Sequence, residues 1–60
     1  MTRKAALDLA KVAGYHRDTR RFTRLIVEAR VNRAAMNEAW AMGERTRAAG
    51  VKCTCIECAA

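Results

Sequence analysis

Four closely spaced arginines are the residues of this chain best suited to bind a charged partner. They lie at spacings of i, i+3, i+4 and i+7, and they are Arg17, Arg20, Arg21 and Arg24. On a helix that spacing places all four guanidinium groups on one face. Because like charges repel, such a face favours an anionic partner, most often a nucleic acid, and DNA is the one we favour. Guanidinium groups contact phosphates and also bind guanine through two hydrogen bonds.

The arginine face is open to two other interpretations. An acidic protein surface would neutralise the same charges, and a fully solvated charged face needs no partner. His16 lies beside the four arginines in sequence. We interpret it as a surface or helix-end residue in preference to a base or a ligand.

A second group with chemical potential is the cysteine cluster near the end of the sequence. Cys53, Cys55 and Cys58 form the pattern C-x-C-x-x-C. Thiolates at this spacing can converge on one soft cation, and tetrahedral zinc takes four ligands. The fourth ligand would then come from His16, the only histidine, or from a second chain. A Cys55–Cys58 disulfide and free thiols remain open alternatives, although a reducing cytosol disfavours the disulfide.

The residue inventory does not indicate an enzyme, and no catalytic residue is assigned. A nucleophilic cysteine needs a histidine base and a shaped cleft, and this chain has a single histidine and little apolar material to build one. No phosphate-binding glycine loop and no paired carboxylates in a catalytic frame occur in the sequence.

Length and composition limit the protein to one small domain with a thin core. The chain has 60 residues and a formal net charge of +6. Leu, Ile, Val and Phe together number ten, whereas alanine alone accounts for thirteen residues. That low content of large apolar residues predicts that the core is completed by a homo-oligomer or a larger complex. No apolar run approaches the roughly 20 residues of a membrane span. No secretory signal is recognisable, so we expect a cytoplasmic protein without membrane contact.

The absence of proline and the scarcity of glycine predict an all-α fold. A first helix is expected from Thr2, as N-cap, to Ala13, with Gly14 as its left-handed C-cap and turn. A long second helix is expected over 17–49, closed by Gly50. These elements define a helical hairpin-like domain over residues 1–50 and a cysteine-bearing tail over residues 51–60.

The long second helix is predicted to carry an apolar stripe that packs or forms an oligomer seam. The stripe residues are Phe22, Leu25, Ile26, Ala29, Met36 and Trp40. Asn32 lies near the middle of the stripe, either buried and setting a pairing register or simply solvated. A weaker second apolar side is expected to include Val27, Val31 and Met42.

The segment Leu9-Ala10-Lys11-Val12-Ala13-Gly14 resembles the first helix and turn of LacI-type and related helix-turn-helix regulators. In that pattern Ala10 packs inside the first helix and Gly14 opens the turn. The resemblance implies a recognition helix that begins near His16 or Arg17 and enters the major groove. The second half departs from the family, because Arg20 and Thr23 stand where buried apolar residues are required. An ordinary helix-glycine-helix hairpin fits the same residues.

Taken together, the residues predict a small basic, non-enzymatic nucleic-acid-binding accessory or regulatory protein. The alternative is a small modulator or inhibitor, of the kind that phages and mobile elements encode, that docks one helical face on a larger host enzyme or complex. The arginine face favours the first function, and the second apolar side favours the alternative.

Overall fold

The computed structural model describes residues 2–52 and shows three α-helices. Helix α1 spans Arg3–His16, α2 spans Thr19–Ala29 and α3 spans Arg33–Ala48. The all-α prediction is therefore confirmed. Two of its details, the turn at Gly14 and the single long second helix, are wrong.

Helix α1 begins where the sequence predicts and ends three residues later than expected. The Thr2 hydroxyl accepts a hydrogen bond from the Ala5 N–H at 3.1 Å, so Thr2 is the N-cap. Gly14 is buried inside the helix, and the left-handed residue that ends it is Arg17, with φ of 54°. The Asp18 N–H donates to the Ala13 carbonyl at 2.9 Å, which completes a Schellman motif without a glycine.

The predicted helix over 17–49 begins two residues late, at Thr19, and is interrupted once, at residues 30–32. Asp18 caps α2 by accepting from the Arg21 N–H at 3.1 Å. Arg30 adopts a left-handed conformation with φ of 50°, and Asn32 caps α3 by accepting from the Ala34 N–H at 2.7 Å. Asparagine competes well for backbone donors in this way, so a break needs neither glycine nor proline. Asn32 is exposed, which agrees with a solvated asparagine and not with a buried one that sets a pairing register.

In the described part of the chain, α1 and α3 pack closely against each other through two glycines. A β-carbon on Gly14 would overlap the Trp40 carbonyl oxygen, and one on Gly43 would overlap the Lys11 carbonyl oxygen. Both glycines therefore serve close backbone approach, not a turn. Around them, the buried residues of the two helices are mostly alanines, which explains how a chain so rich in alanine forms a core.

Helices α1 and α3 run in the same direction. Near their C-terminal ends, Arg47 of α3 donates to the Tyr15 carbonyl oxygen at 3.0 Å. Near their N-terminal halves, Leu7 and Ala35 line the same groove. Helix α2 returns the chain between these two ends, so the order is up, down, up.

The core lies between the three helices and includes both halves of the predicted apolar stripe. Its buried members are Ala6, Ala10, Leu25, Met36 and Ala39, and Met36 is the largest fully buried side chain within residues 2–52. The rings of Phe22 and Trp40 pack at 4.8 Å between centroids, tilted by 52°. The break at residues 30–32 makes this possible, because it folds the second half of the stripe back onto the first.

The C-terminal end of α3 is tied back to α1. Gly50 is left-handed, with φ of 77°, and closes the helix as predicted. The Tyr15 hydroxyl then donates to the Val51 carbonyl oxygen at 2.7 Å. The sequence predicts that the tail begins after residue 50. Val51 nevertheless accepts the hydrogen bond from Tyr15, so it is still attached to the domain.

Candidate nucleic-acid interface

Helix α2 is the element that presents arginine side chains to solvent on one face and apolar side chains to the core on the other. Leu25 is buried, and Phe22, Ile26 and Ala29 are partly buried. Arg20 and Arg24 lie on the opposite side and are exposed. This division follows from the 3.6-residue period of the helix, which separates the two sets by about half a turn.

Arg20 and Arg24 are the two arginines of this face that are not engaged within residues 2–52. In that range neither side chain has an acidic oxygen within 4.0 Å or another recorded polar partner. They are one helical turn apart, at i and i+4, so both side chains leave the same side of the helix. The arrangement leaves the donors of both side chains for an external anion.

Arg17 and Arg21, the other two arginines of the predicted set, contact acidic side chains. Arg17 lies outside α2, and its Nε is 3.9 Å from a Glu44 carboxylate oxygen of α3. The Arg21 Nε is 3.6 Å from an Asp18 carboxylate oxygen. All four arginines therefore occupy one region, but the structure splits them into a pair that faces solvent and a pair that also contacts acids.

Residues that sequence reasoning did not assign to this surface lie next to the arginines. Six residues form an open surface along the solvent side of α2, and they are Thr19, Arg20, Thr23, Arg24, Val27 and Glu28. The i, i+4, i+8 spacing of Thr19, Thr23 and Val27 could have revealed these neighbours, because residues at that spacing follow one side of a helix. The surface is thus a basic edge beside a ridge of small polar and apolar side chains, and we call these six residues the α2 face.

Val27 is the most exposed large apolar residue of the α2 face, at 76%. The predicted second apolar side, in contrast, is divided in the structure. Val31 packs against the core, and Met42 lines a groove between α1 and α3.

The residues predicted to form an oligomer seam mostly contact one another within the chain. Leu25 and Met36 are buried, and Phe22, Ile26, Ala29 and Trp40 are partly buried. An oligomer surface must therefore use other side chains, or the partly exposed parts of these.

The predicted metal ligands Cys53, Cys55 and Cys58 lie outside the described residues. His16, the suggested fourth ligand, is exposed in the last turn of α1, and its ring packs edge-on against Tyr15 at 5.1 Å. Within residues 2–52 no three His, Cys, Asp or Glu side chains cluster closely enough to hold a metal ion.

Comparison with protein-family models, curated proteins and solved structures gave no match for this chain. None of the helices in the described part of the chain is long and apolar enough to cross a membrane.

Proposed function

We propose that the protein is a non-enzymatic nucleic-acid-binding accessory or regulatory protein and that the α2 face contacts the nucleic acid. The observation that supports this most is the exposed pair Arg20 and Arg24, which has no acidic partner within residues 2–52. A basic pair on one side of a helix, in a chain of net charge +6, suits a duplex, whose phosphates offer anionic acceptors at regular intervals.

The shape and composition of the α2 face favour double-stranded DNA. A single helix fits the major groove of B-DNA, where arginine binds guanine and an apolar side chain contacts the thymine methyl group. Arg20 and Arg24 provide the first type of contact, and the exposed Val27 provides the second. Arg17 adds charge from the turn that precedes α2. Its exposed ion pair with Glu44 is weak enough to exchange for a phosphate.

Cationic residues beyond the α2 face extend the positive surface around its C-terminal end. Arg30 ends α2 and Arg33 begins α3, and both are exposed. Glu28 is the acidic residue of the α2 face and lies between Arg24 and this second cationic group. Phosphate contacts at both ends of α2 would fix the helix along the major groove of the DNA. Glu28 would then point away from the DNA backbone.

The test is a salt titration of binding to a mixed-sequence DNA duplex, measured by fluorescence anisotropy. Replacing Arg20 and Arg24 with alanine is expected to weaken binding and to lower the slope of log K against log salt by about two. The matched control replaces Lys4 of α1 and Arg45 of α3 with alanine, which removes the same charge from exposed positions outside the proposed surface and is expected to reduce the slope less. Equal slopes for the wild type and the α2 variant would contradict the proposal.

A second candidate is the modulator that docks on an acidic protein surface. The 76% exposure of Val27 favours it, because phosphates alone give an apolar side chain nothing to contact. Val27→Ala separates the two functions. If the partner is a protein, the variant binds that protein more weakly, and its weak binding to every DNA duplex is unchanged. If the partner is DNA, the variant binds more weakly only to duplexes with a thymine at the contacted position.

A further inference from the structure

A groove between α1 and α3 differs in chemistry from the α2 face. It has a volume of about 270 Å³, and no residue of α2 lines it. Its floor is apolar and consists of Leu7, Ala35, Ala39 and Met42. Met42 is 42% exposed, and methionine is a flexible side chain that adapts to an incoming surface.

The rim of this groove carries two cations and two anions. Arg3 and Lys11 provide the positive charges, and Asp8 and Glu38 the negative ones. All four residues are exposed, and none of them has an ion pair or another recorded polar partner within the described range 2–52. The patch therefore has a formal charge of zero in a chain of net charge +6.

We propose that this α1–α3 groove is the interface of a homodimer. A nucleic acid or an acidic protein would leave Asp8 and Glu38 facing like charges, and a basic protein would leave Arg3 and Lys11 in the same position. A second copy of the chain offers both signs in equal number, so a two-fold contact can pair each cation with an anion across the interface. The same contact covers the exposed part of Met42. The α2 face, with its excess of arginine, has no such complementarity to itself.

The dimer adds a property that one chain lacks. Because α2 contributes nothing to the groove, both α2 faces stay accessible when the grooves pair. If the proposed function holds, the dimer binds two half-sites of one duplex, and joining them raises the affinity without any new contact.

The experiment is sedimentation velocity of the full chain from low-micromolar to millimolar concentration, without nucleic acid. Two double variants reverse the rim charges, Asp8→Lys with Glu38→Lys and Arg3→Glu with Lys11→Glu. The wild type is expected to dimerise. Each variant alone is expected to dimerise about a hundredfold more weakly, because like charges then face each other. A one-to-one mixture of the two variants is expected to regain a heterodimer.

Three results would overturn the proposal. They are a wild type that stays monomeric at millimolar concentration, reversed variants that dimerise as the wild type does, and a mixture that fails to associate. Glu28→Lys with Glu44→Lys is the control, since it changes the net charge as much as Asp8→Lys with Glu38→Lys and leaves the groove intact. Circular dichroism establishes that each variant is folded, and Met42→Gln provides an uncharged variant that is also expected to weaken the dimer. Because no nucleic acid is present, failure here leaves the proposed function standing.

Discussion

Gly14 of α1 lies directly against the backbone of Trp40 in α3, and a β-carbon at position 14 would come within 2.8 Å of the Trp40 Cα. Gly43 makes the reciprocal contact, since its β-carbon would lie 2.7 Å from the Tyr15 amide nitrogen. Real β-carbons do not approach a backbone this closely. The separation of α1 and α3 is thus set by the absence of two side chains.

We expect Gly14→Ala to destabilise the protein by about 2 kcal/mol or more. Helix propensity alone predicts the opposite sign, because alanine is better than glycine inside a helix by about 1 kcal/mol. Here the added methyl group meets backbone atoms that cannot rotate away, so the helices must separate. Urea unfolding followed by the fluorescence of Trp40, the single tryptophan, measures the difference. Stabilisation would show that α1 and α3 are farther apart in solution.

Asn32 is expected to stabilise the protein mainly through its side-chain cap. Asn32→Ala removes the acceptor of the Ala34 N–H and is expected to lower the free energy of unfolding by about 1 kcal/mol. Asn32→Asp keeps an acceptor oxygen and is the matched control, with little change expected. Equal losses in both variants would mean that the break between α2 and α3 depends on something other than this cap.

Arg17 combines an unfavourable backbone conformation with an exposed charge. Arg17→Gly is expected to stabilise the fold by about 0.5–1 kcal/mol, because glycine adopts the left-handed conformation without strain. The same substitution removes a cation next to α2 and is expected to weaken DNA binding. Thermal unfolding and anisotropy on the same sample measure these opposite effects. Glu44→Gln controls for the ion pair, which is exposed and contributes little.

The cysteine hypothesis has a separate test. If Cys53, Cys55 and Cys58 bind zinc, native mass spectrometry of the reduced protein should show one zinc per site, and Cys55→Ser should lose it. If protein purified in zinc-containing buffer carries no metal, the disulfide and the free thiols are the two remaining interpretations of the cysteines.

The helical content and the two-sided character of α2 could be predicted from the sequence because both depend on local properties. Thr2 as N-cap, Gly50 as the left-handed end of α3 and the apolar side of α2 follow from residue type and period. Gly14 was misplaced because a glycine after an apolar segment fits a C-cap and a helix contact equally well. Only the position of Trp40, far away in sequence, distinguishes the two.

The break at residues 30–32 was missed for a different reason. A left-handed arginine at position 30 is unfavourable locally, and the close packing of α3 against α1, which a continuous helix would lose, offsets this cost. A sequence indication was present in the small residues spaced by four, which are Ala6, Ala10 and Gly14 on α1 and Ala35, Ala39 and Gly43 on α3. Two such series indicate two helices that pack closely against each other. A single long helix over 17–49 would have left the second series without a partner.

The contact between Gly14 and Gly43 also determines the order of events when the chain folds. The two residues are about half of the 60-residue sequence apart, so α1 reaches its main partner only after α2 has reversed the chain. Loop closure must therefore precede the tightest packing, and it limits the folding rate. On the ribosome, α1 and α2 emerge before α3 and have little to bury. We therefore expect the three helices to fold as one unit, once α3 can reach α1.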